Sequence, residues 1–469
     1  MKDGFPMSNF RPSDRLTGFL LPPSIDDWLP EEHLARFVVE VVGALDLGSM
    51  SRSYRGSGKA AYSPRALLGI LVYGYATGVF SSAALERATH DSVAFRLVAA
   101  NEHPDHDTIA TFRRRFLKDI EELFVKVLLL AREMGVLKMG TIGLEPAPAK
   151  AGGTKIHANA SRHSALSYEH AGKTPAQLKA EVAQLLAMAE AADTANVPDG
   201  MSVPEELARR KDRLQKLAVA RAKIEARAKE RFEREAAEHA AKIAAREEKT
   251  RATGKKPGGK PPAPPVEGAR PGDQINLTDE ESRIMMVSDG GFDQCYNAQA
   301  AVAAESLLVI ATHVSQAPND KQQLEPVLDK IEALPTELGK AETLLADTGY
   351  FSAVNVAACH DAGISPLIAM GREPHHQALS TRFAEAPPAP VNPTQVEAMA
   401  HRLKTPEGKK LYALRKQTPE PVFGIIKSVL GFRQFLTRGL DKVRGEWSLV
   451  TMAWNLKRMF TLSLAQQAR

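Results

Sequence analysis

The chain has 469 residues, 43% of them hydrophobic and 25% charged, with a net charge of +5, the proportions of a soluble globular protein of two or three domains. No apolar run reaches the roughly 18 residues of a membrane span, and the opening MKDGFPMSNFRPSDR lacks the apolar centre of a signal peptide. A cytoplasmic protein is therefore expected, while two cysteines, Cys295 and Cys359, exclude a disulfide scaffold and a cysteine-built zinc site.

Residues 1–138 read as an all-helical domain. After a Pro-rich opening at Leu21, Pro22 and Pro23, the segment 31–45 carries Leu34, Phe37, Val38, Val41 and Val42 at the spacing of a buried helical face. Ser63 and Pro64 can cap and start a helix through Leu67, Leu68, Leu71 and Tyr75, and Gly78 ends it. Ser81 and Ser82 begin another through Leu85 and Phe95. HPDHDTIATFRRRFLKDIEELFVKVLLLAREMG predicts one long helix entered through Asp105 to Thr108, with Arg113, Arg114 and Arg115 on its early turns. His103, Asp105, His106 and Asp107 are better read as capping chemistry than as a metal cluster. The arginines fit a solvated face or a DNA-docking face equally well.

From residue 139 the pattern changes to strands. TIGLE is a short apolar strand carrying Glu145, followed by the excursion PAPAKAG and then GTKIHANAS. Residues 174–252 are rich in Lys, Arg, Glu and Ala, and Leu207, Leu214, Leu217 and Ile224 keep a heptad-like spacing, which predicts a helical hairpin inserted into the strand-rich domain. The Pro/Gly-rich stretch 253–273 reads as its linker. RIMMVSDGG and FDQCYNAQAAVAAESLLVIATHVS predict further strands, the latter two turning near Ala304 and Glu305. A helix through Leu324 and Ile331 leads to ETLLADTGY, a buried strand that ends on Asp347. An acid there sits at the carboxyl edge of a sheet, where α/β folds bind ligands, although Asp-x-Gly is also ordinary turn chemistry.

Between Leu411 and Leu440 there is a single acid, Glu420, at the start of a helix in which Val422, Ile425, Ile426, Val429 and Leu430 recur at helical spacing. Thr418 and Pro419 can supply its cap and first turn, so the helix dipole alone would favour a Glu here. Its surroundings are unusual, however. Between residues 401 and 469, 14 Lys and Arg stand against 4 Asp and Glu, a local net charge of +10. Lys427 follows two turns after Glu420 on nearly the same face, and Arg433, Arg438, Lys442 and Arg444 come next. An isolated acid within a basic surface suits a metal-dependent site acting on a polyanion.

Glu145 and Asp347 at strand ends and Glu420 on a facing helix can converge on two divalent cations about 3.5–4 Å apart. Hard oxygen ligands and a phosphate substrate select Mg²⁺ or Mn²⁺. Lys427 would neutralise a scissile or flanking phosphate.

These residues carry a resemblance. LLADTGYFS at 344–352, EPVFGIIKSVLGFRQFLTRGL at 420–440, EWSLVTMAWNLKRM at 446–459 and SRIM…YNAQAAV at 282–302 resemble bacterial insertion-sequence transposases of the DDE class. YSPRALLGILVYGYATGVFSS and PDHDTIATFRRRF resemble the helical N-terminal domain of one branch of that class. The resemblance runs from about Phe10 to Phe460. It implies an α/β, RNase H-like catalytic domain over 139–469 with a helical insertion, behind a helical domain that binds DNA. It further implies Mg²⁺-dependent cleavage and transfer of DNA strands at terminal inverted repeats, on double-stranded DNA, by a homodimer in the nucleoid. Asp347 would be the second acid, Glu420 the third, and Lys427 the lysine seven residues beyond it. Arg415 and Tyr412 lie one position farther from Glu420 than the family's pair, so Lys416 is an alternative to Arg415. The DNA-holding set is then Arg113, Arg114, Arg415, Lys416, Lys427, Arg433 and Arg438. The departure is at the first acid: the implied Leu-Asp-Gly-Thr-Lys appears here as Leu144, Glu145, the excursion Pro146–Gly152, then Gly153, Thr154 and Lys155.

Two rival readings stand beside a transposase. A DNA-binding protein with a degraded active site is favoured by the altered first acid, and by the expectation that Pro146 and Pro148 displace the strand edge. A helical scaffold built on the 174–252 hairpin leaves the acid-bearing strand ends unexplained.

Overall fold

Caps and a left-handed glycine place the first helices where local chemistry dictates. The computed structural model describes residues 24–54, 60–146, 155–191, 203–255, 258–287, 291–371 and 387–468. The Pro-rich opening and residues 147–154, which include Pro148 and the rest of the excursion after Pro146, lie outside them. His33 caps α1 (Leu34–Ala44), and α2 (Gly48–Arg52) follows. Pro64 starts α3 (Pro64–Thr77), which Gly78 closes at φ 84°. A Cβ at Gly78 would meet the Leu430 carbonyl oxygen at 2.8 Å, so this glycine is needed for close approach as well as for its backbone angle.

Two helices predicted as continuous are broken. Ser92, extended at ψ 124°, separates α4 (Ser82–Asp91) from α5 (Val93–Val98). Phe116 separates α6 (His106–Arg115) from α7 (Leu117–Glu133). The Phe116 ring is buried against Phe112 and near Tyr54, at centroid distances of 4.8 and 6.2 Å, and seating it there takes its backbone out of the helical region. Asp105 caps α6 by accepting from the Thr108 amide, and His106 pairs with Glu86, which accounts for the His/Asp cluster without a metal.

The main sheet is built on β6 (Phe292–Ala303). One flank pairs antiparallel with β1 (Gly140–Pro146) and then β2 (Lys155–His157); the other pairs antiparallel with β5 (Arg283–Met286) and β7 (Val309–Ser315). Beyond β1 lie β8 (Ala341–Ala346) and β9 (Ser365–Ile368), both parallel to it. The order β7-β6-β1-β8-β9, three antiparallel strands followed by two parallel ones, is RNase H-like. Helices α10 (Leu324–Glu332) and α11 (Ala353–Asp361) make the crossovers that parallel strands require.

The insertion leaves the sheet between β2 and β5. A small sheet of β3 (Ala165–Ser167) and β4 (Gln274–Asn276) forms its base, and α8 (Tyr168–Ala191) and α9 (Val203–Thr253) form its two helices. Leu217, Ala220 and Ile224 bury the heptad face against Leu166, Ala171 and Ile275. Arg231 pairs with Asp273 at 2.7 Å and holds the returning linker along α9.

After β9, Thr394 and Thr405 cap α12 (Gln395–Arg402) and α13 (Pro406–Ala413). Next come α14 (Pro419–Gly424), a π turn at Ile425–Val429, and α15 (Leu440–Gln467). Helix α15 is buried from Val443 to Leu456 apart from Arg444 and packs against β7, α3 and α7 together. Gly445 permits the last contact, since a Cβ there would lie 2.5 Å from that of Leu117. The N-terminal helices and the sheet thus share one hydrophobic core.

Candidate active site

The first acidic position is set by strand register. Leu144 pairs with Ala301 and Glu145 with Ala300 on β6, and Pro146 still pairs with Gln299. Pairing resumes at Lys155, opposite Asn297. The partner strand advances three residues, from 300 to 297, while the chain advances ten, so the pairing on either side of the seven extra residues keeps one register. The expected displacement of the strand edge is therefore corrected at Pro146, while Pro148 lies outside the described residues. Pro146 stands at the end of β1, past the last rung with β8, where its missing N–H breaks no inner ladder.

On the other side of β1, Leu144 pairs with Ala346, the last residue of β8. Glu145 and Asp347 therefore occupy the positions immediately after a shared rung of adjacent parallel strands, whose spacing is about 4.8 Å. The Asp347 carboxylate accepts from the Gly349 amide at 2.8 Å, which closes a short helical turn, Thr348–Tyr350, and fixes the acid at the sheet edge. Its turn-forming and edge-placed readings are the same structure.

Helix α14, whose second residue is Glu420, lies on β1. A Cβ at Gly143 would meet Pro419 Cδ at 2.8 Å and Thr418 Cγ2 at 3.2 Å. By strand alternation Gly143 and Glu145 belong to one face, so the helix bearing the third acid packs on the face of the first. Thr418 caps by position only; its hydroxyl donates to the Leu414 carbonyl instead of accepting from α14. Arg415 lies 3.5 Å from Glu420, with its guanidinium over the Tyr412 ring, and the Tyr412 hydroxyl donates to the Ala346 carbonyl. Tyr412 and Arg415 thus tie the third acid to the strand that delivers Asp347, whereas Lys416 is exposed. The predicted apolar stripe holds through Val422, Ile426 and Leu430, but Val429 is 73% exposed. The π turn, in which the Leu430 amide reaches back to the Ile425 carbonyl, moves Val429 off the stripe and carries Lys427.

A second polar group lies beneath the edge. Lys155 is buried with its Nζ 3.5 Å from Asp320, its closest ionic partner among the described residues. The same Asp320 oxygen accepts from Asn297 Nδ2 at 2.9 Å and Gln299 Nε2 at 3.1 Å. Burial pulls the Lys155 amine below its usual range, with Asp320 opposing the shift. Gln299 also accepts from the Tyr350 hydroxyl. Asp320 stands in a Pro-Asn-Asp turn, and nothing local marks it as a partner for residue 155.

The basic residues separate into two sets. Arg114, Arg433 and Arg438 are exposed, Arg438 anchored on the Asn159 carbonyl and Arg433 on that of Lys427. Arg113 instead lies inside the bundle, 6% exposed, and donates to the Tyr75 hydroxyl and the Phe80 carbonyl. Tyr75 donates in turn to Glu446, fully buried, whose carboxylate also accepts from the Leu436 and Thr437 amides. Arg113 is thus a structural cation bracing the loop that carries Arg433 and Arg438.

The donor set at the edge is all hard oxygen, which suits Mg²⁺ or Mn²⁺. Among the described residues and side chains, no three acids already form a closed metal-ligating group.

Comparisons with known proteins agree with this layout. A family described as "Transposase DDE domain" matches residues 389–460, the segment holding Arg415, Glu420 and Lys427. One described as "Transposase domain (DUF772)" matches residues 23–115, helices α1 to α6. No curated protein and no solved structure matches the chain. With one match in the helical bundle and the other on the helices beside the RNase H-like sheet, the two family matches indicate an insertion-sequence transposase of the DDE type.

Proposed function

We propose that the chain cleaves and transfers DNA strands at the terminal inverted repeats of an insertion sequence, with Glu145, Asp347 and Glu420 as its acidic centre. The observation that supports this most strongly is the convergence of three acid-bearing segments: two neighbouring strand ends, and a helix packed on Gly143 of the first strand. Bound Mg²⁺ or Mn²⁺, held by those carboxylates, would activate the attacking oxygen and stabilise the leaving oxygen of a phosphodiester. Arg415 restrains the Glu420 carboxylate, and Tyr412 keeps its helix against β8. Lys427 offers a point charge to a phosphate beside the scissile bond. Arg114, Lys416, Arg433 and Arg438 are exposed and hold the duplex backbone of transposon ends and target. A homodimer on DNA would bring two ends together.

The test is nicking of an end-containing duplex with Mn²⁺. The wild-type chain should cut, and Asp347→Ala or Glu420→Ala should bind the duplex without cutting. Equal cutting by either variant would refute the assignment, and binding without cutting by the wild type would mark a degraded site.

A further inference from the structure

We propose that Lys155 and Asp320 form a buried latch that holds the first and second acidic positions in register across the excursion, with Lys155 as a positioning residue. The inference rests on the active-site reading for its purpose, but not for its geometry. A strand interrupted by extra residues loses the covalent constraint that fixes its continuation. Slippage by one residue would then move every side chain of the continuation to the opposite face. Something non-covalent must define where the strand resumes.

Lys155 is the first residue paired after the excursion, opposite Asn297. Its buried amine points at Asp320, whose Oδ1 also accepts from Asn297 and Gln299, the β6 residues facing the two ends of the interruption. One carboxylate therefore gathers both rungs that bracket the break. It also borders the second acid. A Cβ at Gly349 would lie 3.6 Å from Asp320 Oδ2 and 2.9 Å from Asp347 Oδ1, and Gln299 accepts from Tyr350 of the same turn. A buried ion pair adds little net stability but specifies one geometry, because any slipped register leaves both charges unpaired.

Amide hydrogen exchange on the full chain tests this without requiring activity. Lys155→Met should raise exchange in residues 140–146 and 155–157 by roughly tenfold or more, with α3 and α15 unchanged. Should that variant not fold, the double variant Lys155→Met with Asp320→Asn, which leaves no unpaired buried charge, should show the same local rise. Deleting Pro146–Gly152 restores a continuous strand and should abolish the effect of either variant. Unchanged exchange, a rise spread evenly over the whole chain, or the same local rise in the deletion background would each overturn the latch. Cleavage by Asp347→Ala with the latch intact reports separately on the active-site assignment.

Discussion

Gly143→Ala isolates the contact between the first acidic strand and the third acidic helix. The added Cβ would lie 2.8 Å from Pro419 Cδ and 3.3 Å from Pro419 Cγ, so the helix start must move by about 0.6 Å to reach an ordinary contact of about 3.4 Å. Proline cannot swing away as a long side chain would, so the shift passes to the backbone of Glu420, the next residue. A catalytic constellation tolerates about 0.5 Å, and a misplacement near 1 Å can cost about 100-fold. Single-turnover cleavage should therefore fall by roughly 10- to 100-fold, about 1.4–2.8 kcal/mol of transition-state stabilisation. Overpacking should cost about 1–3 kcal/mol of folding stability, leaving a folded protein. Duplex affinity should not change, because no phosphate-holding residue lies at this contact. Wild-type cleavage by Gly143→Ala, with the substitution verified, would refute the packing of Glu420 against β1 as the source of its placement.

Glu145→Asp should raise cleavage at least roughly tenfold by shortening the carboxylate arm, whereas deleting Pro146–Gly152 alone should leave it unchanged, since the excursion is register-neutral. A large gain from the deletion alone would contradict the continuous register. Replacing Arg433 and Arg438 with Ala should flatten the slope of log K against log[salt] by up to about 0.9 per lost phosphate contact, and an unchanged slope would remove them from the DNA interface. Glu446→Ala strands the Tyr75 hydroxyl and the Leu436 and Thr437 amides in the core, so urea unfolding should show a loss of about 3–5 kcal/mol; a loss under about 1 kcal/mol would mean the network is not structural.

Features carried by local chemistry were legible in the sequence. Pro64 and Gly78 bound α3 as expected, and the acid after ETLLA sits at the end of β8. What escaped depends on contacts distant along the chain. The break at Phe116 follows from its seat beside Tyr54, and the register across the excursion follows from β6; neither partner is near in sequence. Val429 fitted a regular helix and is exposed because a π turn intervenes, which no periodicity reveals. Arg113 was readable but misread: it lies four residues after Ile109, on the buried face of α6, so a run of three arginines does not share one environment. That Arg415, and not Lys416, lies beside Glu420 was visible only once α13 and α14 were folded together.

Metal preference in Asp347→Cys tests the centre most directly. A thiolate is a softer ligand than a carboxylate and supports Mn²⁺ better than Mg²⁺. If Asp347 holds the metal, cleavage of an end-containing duplex by this variant is lost in Mg²⁺ and partly restored in Mn²⁺, while the wild-type protein cuts in both. Equal cleavage by the variant in the two metals, or loss in both with wild-type levels retained by Asp347→Ala, would contradict it.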